Sequence, residues 1–187
     1  MMLTSQERCF IYQLLARTIK APVDQLFLDT LANIDLPETD HDYISSWQIL
    51  KKIAQKQDIE RLDHEFHQLF IGLGRGEVVP YFSWHKTEFL MEKPLAQLRS
   101  DLKKLGFKRQ QDNQEPEDHF SSIAEIMAML VADNREEQTV FFKNYIAPWF
   151  RQFFNDIRQT RMGDFYPAIA NLGDVFISME TRKTKNL

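Results

Sequence analysis

Two short segments hold most of the side chains that could do chemistry. Residues 80–85 (Pro-Tyr-Phe-Ser-Trp-His) place three aromatic rings and an imidazole where a loop leads into a helix. Residues 115–119 (Glu-Pro-Glu-Asp-His) place three carboxylates and an imidazole at the start of an apolar pattern. Loop aromatics either pack on the core or bind a partner. Carboxylates at a helix start meet the helix dipole, and they also suit arginine guanidinium groups.

Other motifs that could support catalysis or metal binding are incomplete. The glycine run 72–76 lacks the lysine and hydroxyl residue of a phosphate loop and follows a helical pattern, so we interpret it as a flexible loop. His64 and His67 lack the i, i+4 spacing of a zincin pair. The Glu-x-x-His of residues 38–41 has no second copy for a di-iron site. Cys9 lies in an apolar helical pattern and is interpreted as a buried thiol. We predict no catalytic residue, no metal ligand and no cofactor, and therefore not an enzyme.

Composition narrows the class of protein further. The 187 residues are 43% hydrophobic and include 15 Phe and 3 Trp, which excludes a mainly disordered chain. The net charge is −4, and the excess of acidic residues lies in residues 1–71. No basic patch stands out in the sequence, which argues against nucleic-acid binding. Residues 1–7 do not form a secretory signal, and no run reaches the roughly 18 apolar residues of a membrane span. We expect a soluble, cytoplasmic protein.

Most of the chain carries the period of amphipathic helices. Thr4 and Glu7 form a capping box, Pro22 suits the first turn of a second helix, and Asp58 can cap a fourth. Pro116 is expected to start a long apolar helix. The side chains expected to face inward are Phe10, Ile11, Leu14, Leu15, Ile19, Leu26, Phe27, Leu31, Leu62, Phe66, Leu69, Phe70, Phe120, Ile123, Ala124, Met127 and Leu130.

These patterns predict an all-α fold of about nine or ten helices in a single domain that covers residues 1–187. A short helix is expected near residues 85–91, and helical stretches near 135–146, 148–160 and 164–179. The loop near 72–80 and the polar segment 107–115 divide the chain loosely. We expect an N-terminal group (1–71), a middle crossing (72–115) and a C-terminal group (116–187).

The two segments together resemble motifs of the TorD/DmsD family of cytoplasmic redox-enzyme maturation chaperones, whose fold is all-helical. The resemblance rests on Pro-Tyr-x-Ser at residues 80–83 and Glu-Pro-x-Asp-His at residues 115–119. Glu65-x-x-x-Leu69-Phe70-x-Gly72 and the Glu-Ile-Met of residues 125–127 are also similar to family motifs. Phe82 stands where many members have Glu, and Ile123 stands where a Glu is common. Residues 74–81 and 90–102 look more like the branch that accompanies formate dehydrogenases.

The resemblance implies a function. Members of the family bind the twin-arginine signal peptide, or the apo form, of a molybdopterin (or tungsten) oxidoreductase and delay its export until the cofactor is inserted. The favoured client is a formate dehydrogenase, with a sulfoxide or amine-oxide reductase as the alternative. A cationic peptide with an apolar stretch suits an acidic rim beside an aromatic groove.

We assign that rim and groove to the two segments. Glu115, Glu117 and Asp118 are expected to form the rim, and His119 to tune its charge, because a free imidazole has a pKa of about 6.5. The aromatic groove is assigned to Tyr81, Phe82, Trp84 and Phe120. The predicted peptide-binding residues are Pro80, Tyr81, Ser83, Trp84, His85, Glu115, Pro116, Asp118, His119 and Phe120.

Two other functions stay open. One is a nucleotide-binding switch or hydrolase, because some relatives have been proposed to bind guanine nucleotides, although the sequence lacks a phosphate loop. The other is a structural assembly subunit of a redox enzyme, which would expose a large apolar surface. We expect a monomer with a minor domain-swapped dimer, in which residues 107–115 act as the hinge.

Overall fold

The computed structural model describes residues 3–36, 41–72, 76–90, 93–109 and 115–185. Its helices are α1 (Ser5–Lys20), α2 (Gln25–Asn33), α3 (Asp42–Ala54), α4 (Ile59–Phe66), α5 (Phe82–Thr87), α6 (Lys93–Lys104), α7 (Phe120–Ala132), α8 (Gln138–Phe141), α9 (Phe150–Gln159) and α10 (Phe165–Lys185). Two π-helical turns, His67–Ile71 and Phe142–Ile146, continue α4 and α8. Within the described ranges there is no β-strand, and the all-α prediction is confirmed.

Two predicted helix starts are confirmed at the level of hydrogen bonds. The Thr4 N–H donates to the Glu7 carboxylate at 2.7 Å, and the Glu7 N–H donates to the Thr4 hydroxyl at 3.2 Å. This reciprocal pair is a capping box, and it opens α1. Asp58 caps α4 by accepting the Arg61 N–H at 2.9 Å.

Two proline-based helix starts were placed too early. Pro22 precedes α2, which begins after Asp24, whose carboxylate accepts the Phe27 N–H at 2.8 Å. Pro116 lies in a turn in which its carbonyl accepts the His119 N–H at 3.1 Å, and α7 then begins at Phe120. In both cases the residue whose side chain accepts a first-turn N–H sets the start, because that bond satisfies an otherwise unpaired donor.

Most predicted inward positions are buried, with two clear exceptions. Phe10 is 43% exposed and Leu26 is 77% exposed. The buried face of α1 instead runs through Ile11 and Leu15, and that of α2 runs through Leu28 and Leu31. Each wrong residue lies beside the apolar stripe rather than on it, so its side chain points away from the core.

The chain divides into two compact units that interleave along the sequence. Unit 1 contains residues 1–20 and 80–149, and unit 2 contains residues 21–79 and 150–187. The sequence pattern did not anticipate this interleaving, and the three consecutive groups stay a prediction. None of the helices in the described ranges combines the length and apolar character that a membrane crossing needs.

Unit 1 is organised around the packing of α1 along α7. Ile11 and Leu15 of α1 and Ile123, Met127 and Leu130 of α7 are 0–1% exposed. Their spacing on each helix is that of one face, so burial of this face holds α7 in place. The first residues of α7 and the segment before it carry the candidate site.

Unit 2 has α10 packed against both α9 and α3. Phe70 and Phe153 stack with ring centroids 6.3 Å apart, and Tyr166 meets Phe70 edge-on at 5.6 Å. Gly173 lets α10 approach α9 closely, because a Cβ there would overlap the Phe154 ring. The aromatic residues of this unit therefore supply its core.

Candidate functional site

The structure brings the two predicted segments side by side in unit 1. Tyr81 and His119 form an isolated antiparallel bridge. The Phe82 N–H donates to the Asp118 carbonyl at 2.9 Å, and the Phe120 N–H donates to the Pro80 carbonyl at 2.7 Å. The start of α5 and the start of α7 are therefore fastened to each other through their backbones.

Asp118 reinforces this junction with its side chain. Its carboxylate is 1% exposed and accepts the Ser83 N–H at 3.0 Å through Oδ2. That N–H belongs to the first turn of α5, so Asp118 caps a helix from a different segment. Asp118 Oδ1 and Ser83 Oγ have no hydrogen-bond partner among the described residues. Asp118 is therefore a buried residue that holds the first turn of α5 in place.

His119 is also largely buried and caps α7. Its Nδ1 accepts the Ser121 N–H at 3.2 Å and lies 2.7 Å from the Ser121 hydroxyl. Its ring meets the Tyr81 ring edge-on, with centroids 5.1 Å apart. Burial lowers the pKa of His119 to about 4, although the nearby carboxylates of Glu115 and Asp118 oppose that shift. The lowered pKa favours the neutral imidazole near pH 7 and so does not support the expectation that His119 tunes the charge there.

Two of the aromatic residues assigned to the groove belong to the core. Phe82 is 5% exposed and Phe120 is fully buried. Trp149 packs against both, with ring centroids 6.1 Å from Phe82 and 5.9 Å from Phe120. Phe82 also meets Tyr145 edge-on at 5.7 Å. These rings support the junction from below, and their burial favours a positioning role over direct contact with a partner.

The exposed part of the predicted set is smaller. Tyr81, Trp84, His85 and Pro116 are half-buried, and Glu115 is exposed. The Tyr81 hydroxyl donates to the Glu115 carboxylate at 2.8 Å. Partial burial and this hydrogen bond raise the pKa of the Tyr81 phenol, so it stays a neutral donor. This exposed edge is the part of the set that a partner could touch.

Glu117 is held by arginines of the chain itself. Its carboxylate accepts from Arg99 Nε at 2.9 Å and lies 2.8 Å from Arg99 Nη2. Arg109 Nη1 lies 3.8 Å from the same carboxylate. The chain's own arginines therefore hold the group that was expected to receive a partner's guanidinium. Sequence reasoning missed both, because neither lies near Glu117 in the sequence.

No group of three or more His, Cys, Asp and Glu side chains in the described residues is arranged to hold a metal ion. His64 on α4 and His67 in the π-helical turn that follows it are both exposed. The groups that the site presents are suited to recognition of a partner. It combines an exposed carboxylate, a neutral phenol donor and partly exposed aromatic rings on a fastened backbone.

The two motif segments therefore lie side by side in an all-α chain. The family model described as nitrate reductase delta subunit matches residues 36–155, which include both motif segments. The chain belongs to this family, the TorD family of redox-enzyme maturation chaperones.

Named relatives agree with this assignment. The chaperone protein TorD of Vibrio cholerae serotype O1 is 27% identical over 147 residues, which cover 71% of this chain and 67% of the relative. The chaperone protein TorD of Shewanella loihica is 25% identical over 201 residues, which cover 94% of this chain and 92% of the relative. The crystal structure of a proposed redox enzyme maturation protein from Archaeoglobus fulgidus superimposes with a TM-score of 0.60 at 19% identity. It covers 91% of this chain and 93% of that structure, which shows the shared fold.

Proposed function

We propose that this protein is a cytoplasmic chaperone for a molybdopterin or tungsten oxidoreductase. It binds the twin-arginine signal peptide of the client, its apo form, or both, assists cofactor insertion and delays export until the client is mature. The observation that carries the proposal is the family match over residues 36–155, which contains both motif segments. The chaperone names of the relatives support it and make an enzymatic role the weaker interpretation.

The exposed edge of the site suits the signal peptide. The Glu115 carboxylate can accept a guanidinium donor, and charge-assisted hydrogen bonds of this kind are the strong ones. Tyr81 and Trp84 offer ring surface to the apolar stretch that follows the arginines. In this proposal Asp118, His119 and the other buried members of the predicted set position the edge rather than touch the peptide.

Calorimetric titration with synthetic signal peptides tests the proposal. One peptide comes from a formate dehydrogenase and one from a sulfoxide or amine-oxide reductase of the same organism, each with a Lys-Lys control. Binding of one peptide that is lost in its control would identify the client class, and we expect the formate dehydrogenase peptide to bind. If no peptide binds, a pull-down with the apo-enzyme tests whether the protein recognises the part of the client that follows the signal peptide. Failure of both experiments would overturn the chaperone proposal.

Glu115→Gln tests the site itself. The amide keeps an oxygen that can accept from Tyr81 but removes the charge, so we expect about tenfold weaker peptide binding, or roughly 1.4 kcal/mol. Glu136→Gln is the matched control, since Glu136 is also an exposed glutamate of unit 1. Equal affinities for the two variants would show that Glu115 does not contact the peptide.

An assembly subunit is the second candidate, because the family description names a subunit of nitrate reductase. A subunit would copurify with its enzyme at constant stoichiometry after maturation, whereas a chaperone would be released. Affinity purification of the tagged protein before and after the client acquires its cofactor separates the two functions. We expect the protein to be released from the client once the cofactor is in place. We also expect it to be a monomer with a minor domain-swapped dimer.

A further inference from the structure

A cleft of about 450 Å³ lies in unit 1, on the side of the acidic motif that carries Glu117. Helix α7 lines it with Ser122, Glu125, Ile126 and Met129, whose i, i+3, i+4, i+7 spacing places them on one helical face. The remaining walls come from the end of α1, from α6 and from residues 107–109. The volume is within the range of pockets that hold a small molecule or a few side chains of a peptide.

Positive charge dominates this cleft. Five of its lining residues are cations and two are carboxylates. Both carboxylates already have cationic partners, because Glu117 is held by Arg99 and Arg109, and Lys20 lies 2.9 Å from Glu125. Lys103 and Lys108 also line the cleft. These last two lysines are exposed and have no acidic partner among the described residues.

The floor of the cleft is apolar. Leu102 and Ile126 are 6% and 8% exposed, so little more than the edges of their side chains reach the opening. Met129 is 44% exposed, and the half-buried Phe107 ring, which has the Arg135 guanidinium 5.8 Å from its centroid, also belongs to the lining. A thioether and an aromatic ring left partly exposed in a recess offer apolar contact to a ligand. The cleft therefore joins a cationic rim to an apolar floor.

We propose that this cleft binds an acidic segment of a partner protein, with glutamate or aspartate on the lysine rim and an apolar side chain on the floor. The surplus of positive charge repels a twin-arginine peptide, so this surface is separate from the exposed edge of Glu115 and Tyr81. The cationic donors are side-chain ammonium and guanidinium groups, and the Ser122 hydroxyl can add a further hydrogen bond to a carboxylate. The lining residues do not form a glycine-rich loop, which makes a phosphate-bearing small molecule the weaker occupant. The proposal does not depend on the signal-peptide function.

Fluorescence polarisation with a labelled synthetic peptide of glutamate and leucine tests this surface. A second peptide has glutamine in place of every glutamate. The protein variant is Lys103→Gln with Lys108→Gln, and the control is Lys86→Gln with Lys143→Gln, which removes two exposed lysines from elsewhere in unit 1. We expect the cleft variant to bind the acidic peptide about tenfold more weakly than the wild type, and the control to stay within about twofold.

Three results would overturn the proposal. The glutamine peptide binding as tightly as the acidic peptide would show that charge does not select the ligand. Equal losses in the cleft and control variants would show that only overall charge matters. Displacement of the acidic peptide by ATP at lower concentration than by unlabelled peptide would assign the cleft to a phosphate-bearing ligand. One result would support the proposal. Added salt should weaken binding of the acidic peptide to the wild type more than it weakens binding to the cleft variant.

Discussion

Each unit of the molecule contains one buried carboxylate with one oxygen unpaired among the described residues. In unit 1 it is Asp118, whose Oδ1 has no partner, and in unit 2 it is Glu65, whose Oε2 has none. The difference lies in what the other oxygen meets. Asp118 accepts from a backbone N–H, whereas Glu65 accepts from the Arg61 guanidinium at 2.9 Å.

Both residues belong to motifs that the family resemblance singled out, and both carboxylates are buried against a different segment of the chain. Asp118 fixes the start of α5, and Glu65 packs against Gly163, where a Cβ would overlap both carboxylate oxygens. An acidic residue in a recognisable motif therefore need not be a binding residue. The partner of the carboxylate differs between the two units. Asp118 accepts a hydrogen bond from a neutral backbone N–H, whereas Glu65 accepts one from the charged Arg61 guanidinium.

Acidification should disturb unit 1 first, and this is the largest effect we expect. The folded pKa of His119 is about 4, below the roughly 6.5 of the unfolded chain, so the unfolded state binds more protons between these values. The free energy of unfolding therefore falls as the pH drops through this window, by about 1.4 kcal/mol per unit. Urea denaturation of the wild type and of His119→Gln across the window measures this difference. Parallel pH profiles for the two proteins would show that His119 does not contribute.

Asp118→Ala tests the fastener of unit 1 directly. It leaves the buried Ser83 N–H without its acceptor, so we expect the free energy of unfolding to fall by about 2 kcal/mol. Asp118→Asn keeps an oxygen acceptor and should lose less than half of that. Chemical denaturation measures both variants. If the alanine variant were as stable as the asparagine variant, the hydrogen bond to Ser83 would contribute less to the free energy of unfolding than we expect.

Gly163→Ala tests the corresponding contact in unit 2. The added methyl must push the Glu65 carboxylate away from Arg61, and we expect a cost of about 1 to 2 kcal/mol. The same substitution in a Glu65→Ala background should cost less than about 0.5 kcal/mol, because the obstructing group is gone. A double-mutant cycle measured by denaturation gives the coupling. An unchanged cost in the second background would mean that something other than Glu65 excludes a side chain at position 163.

Arg61→Gln should have the smallest effect. The glutamine keeps an N–H donor that can reach the buried Glu65 carboxylate, and the Arg61 side chain is 65% exposed, so the variant loses little beyond a charge that water already screens. We expect a loss of about 0.5 kcal/mol that shrinks as salt is added. Thermal denaturation at low and high salt measures it. A loss as large as that of Asp118→Ala would contradict the view that the two carboxylates are held in different ways.

The sequence predicted the helices well because periodicity and caps are local. The capping box of Thr4 and Glu7 and the stripe that ends in Leu69 and Phe70 needed no knowledge of distant contacts. The site was harder, since the burial of Asp118 and Phe82 depends on residues far along the chain. Arg99 on Glu117 is a tertiary contact that no spacing rule predicts. The membership of the site set stays a prediction, and the structure adds which of its members are exposed.

The interleaving of the two units also bears on how the protein is made. Helix α1 leaves the ribosome early, but α7, the helix that it packs along, follows only after the residues of α2 to α6. Unit 1 therefore cannot close until synthesis has passed Ala132, and contacts between such distant segments form slowly because a long loop must first be ordered. During that interval the apolar face of α1 lacks its partner helix. The chaperone therefore passes through a stage in which, like an immature client protein, it exposes apolar surface that is buried after folding.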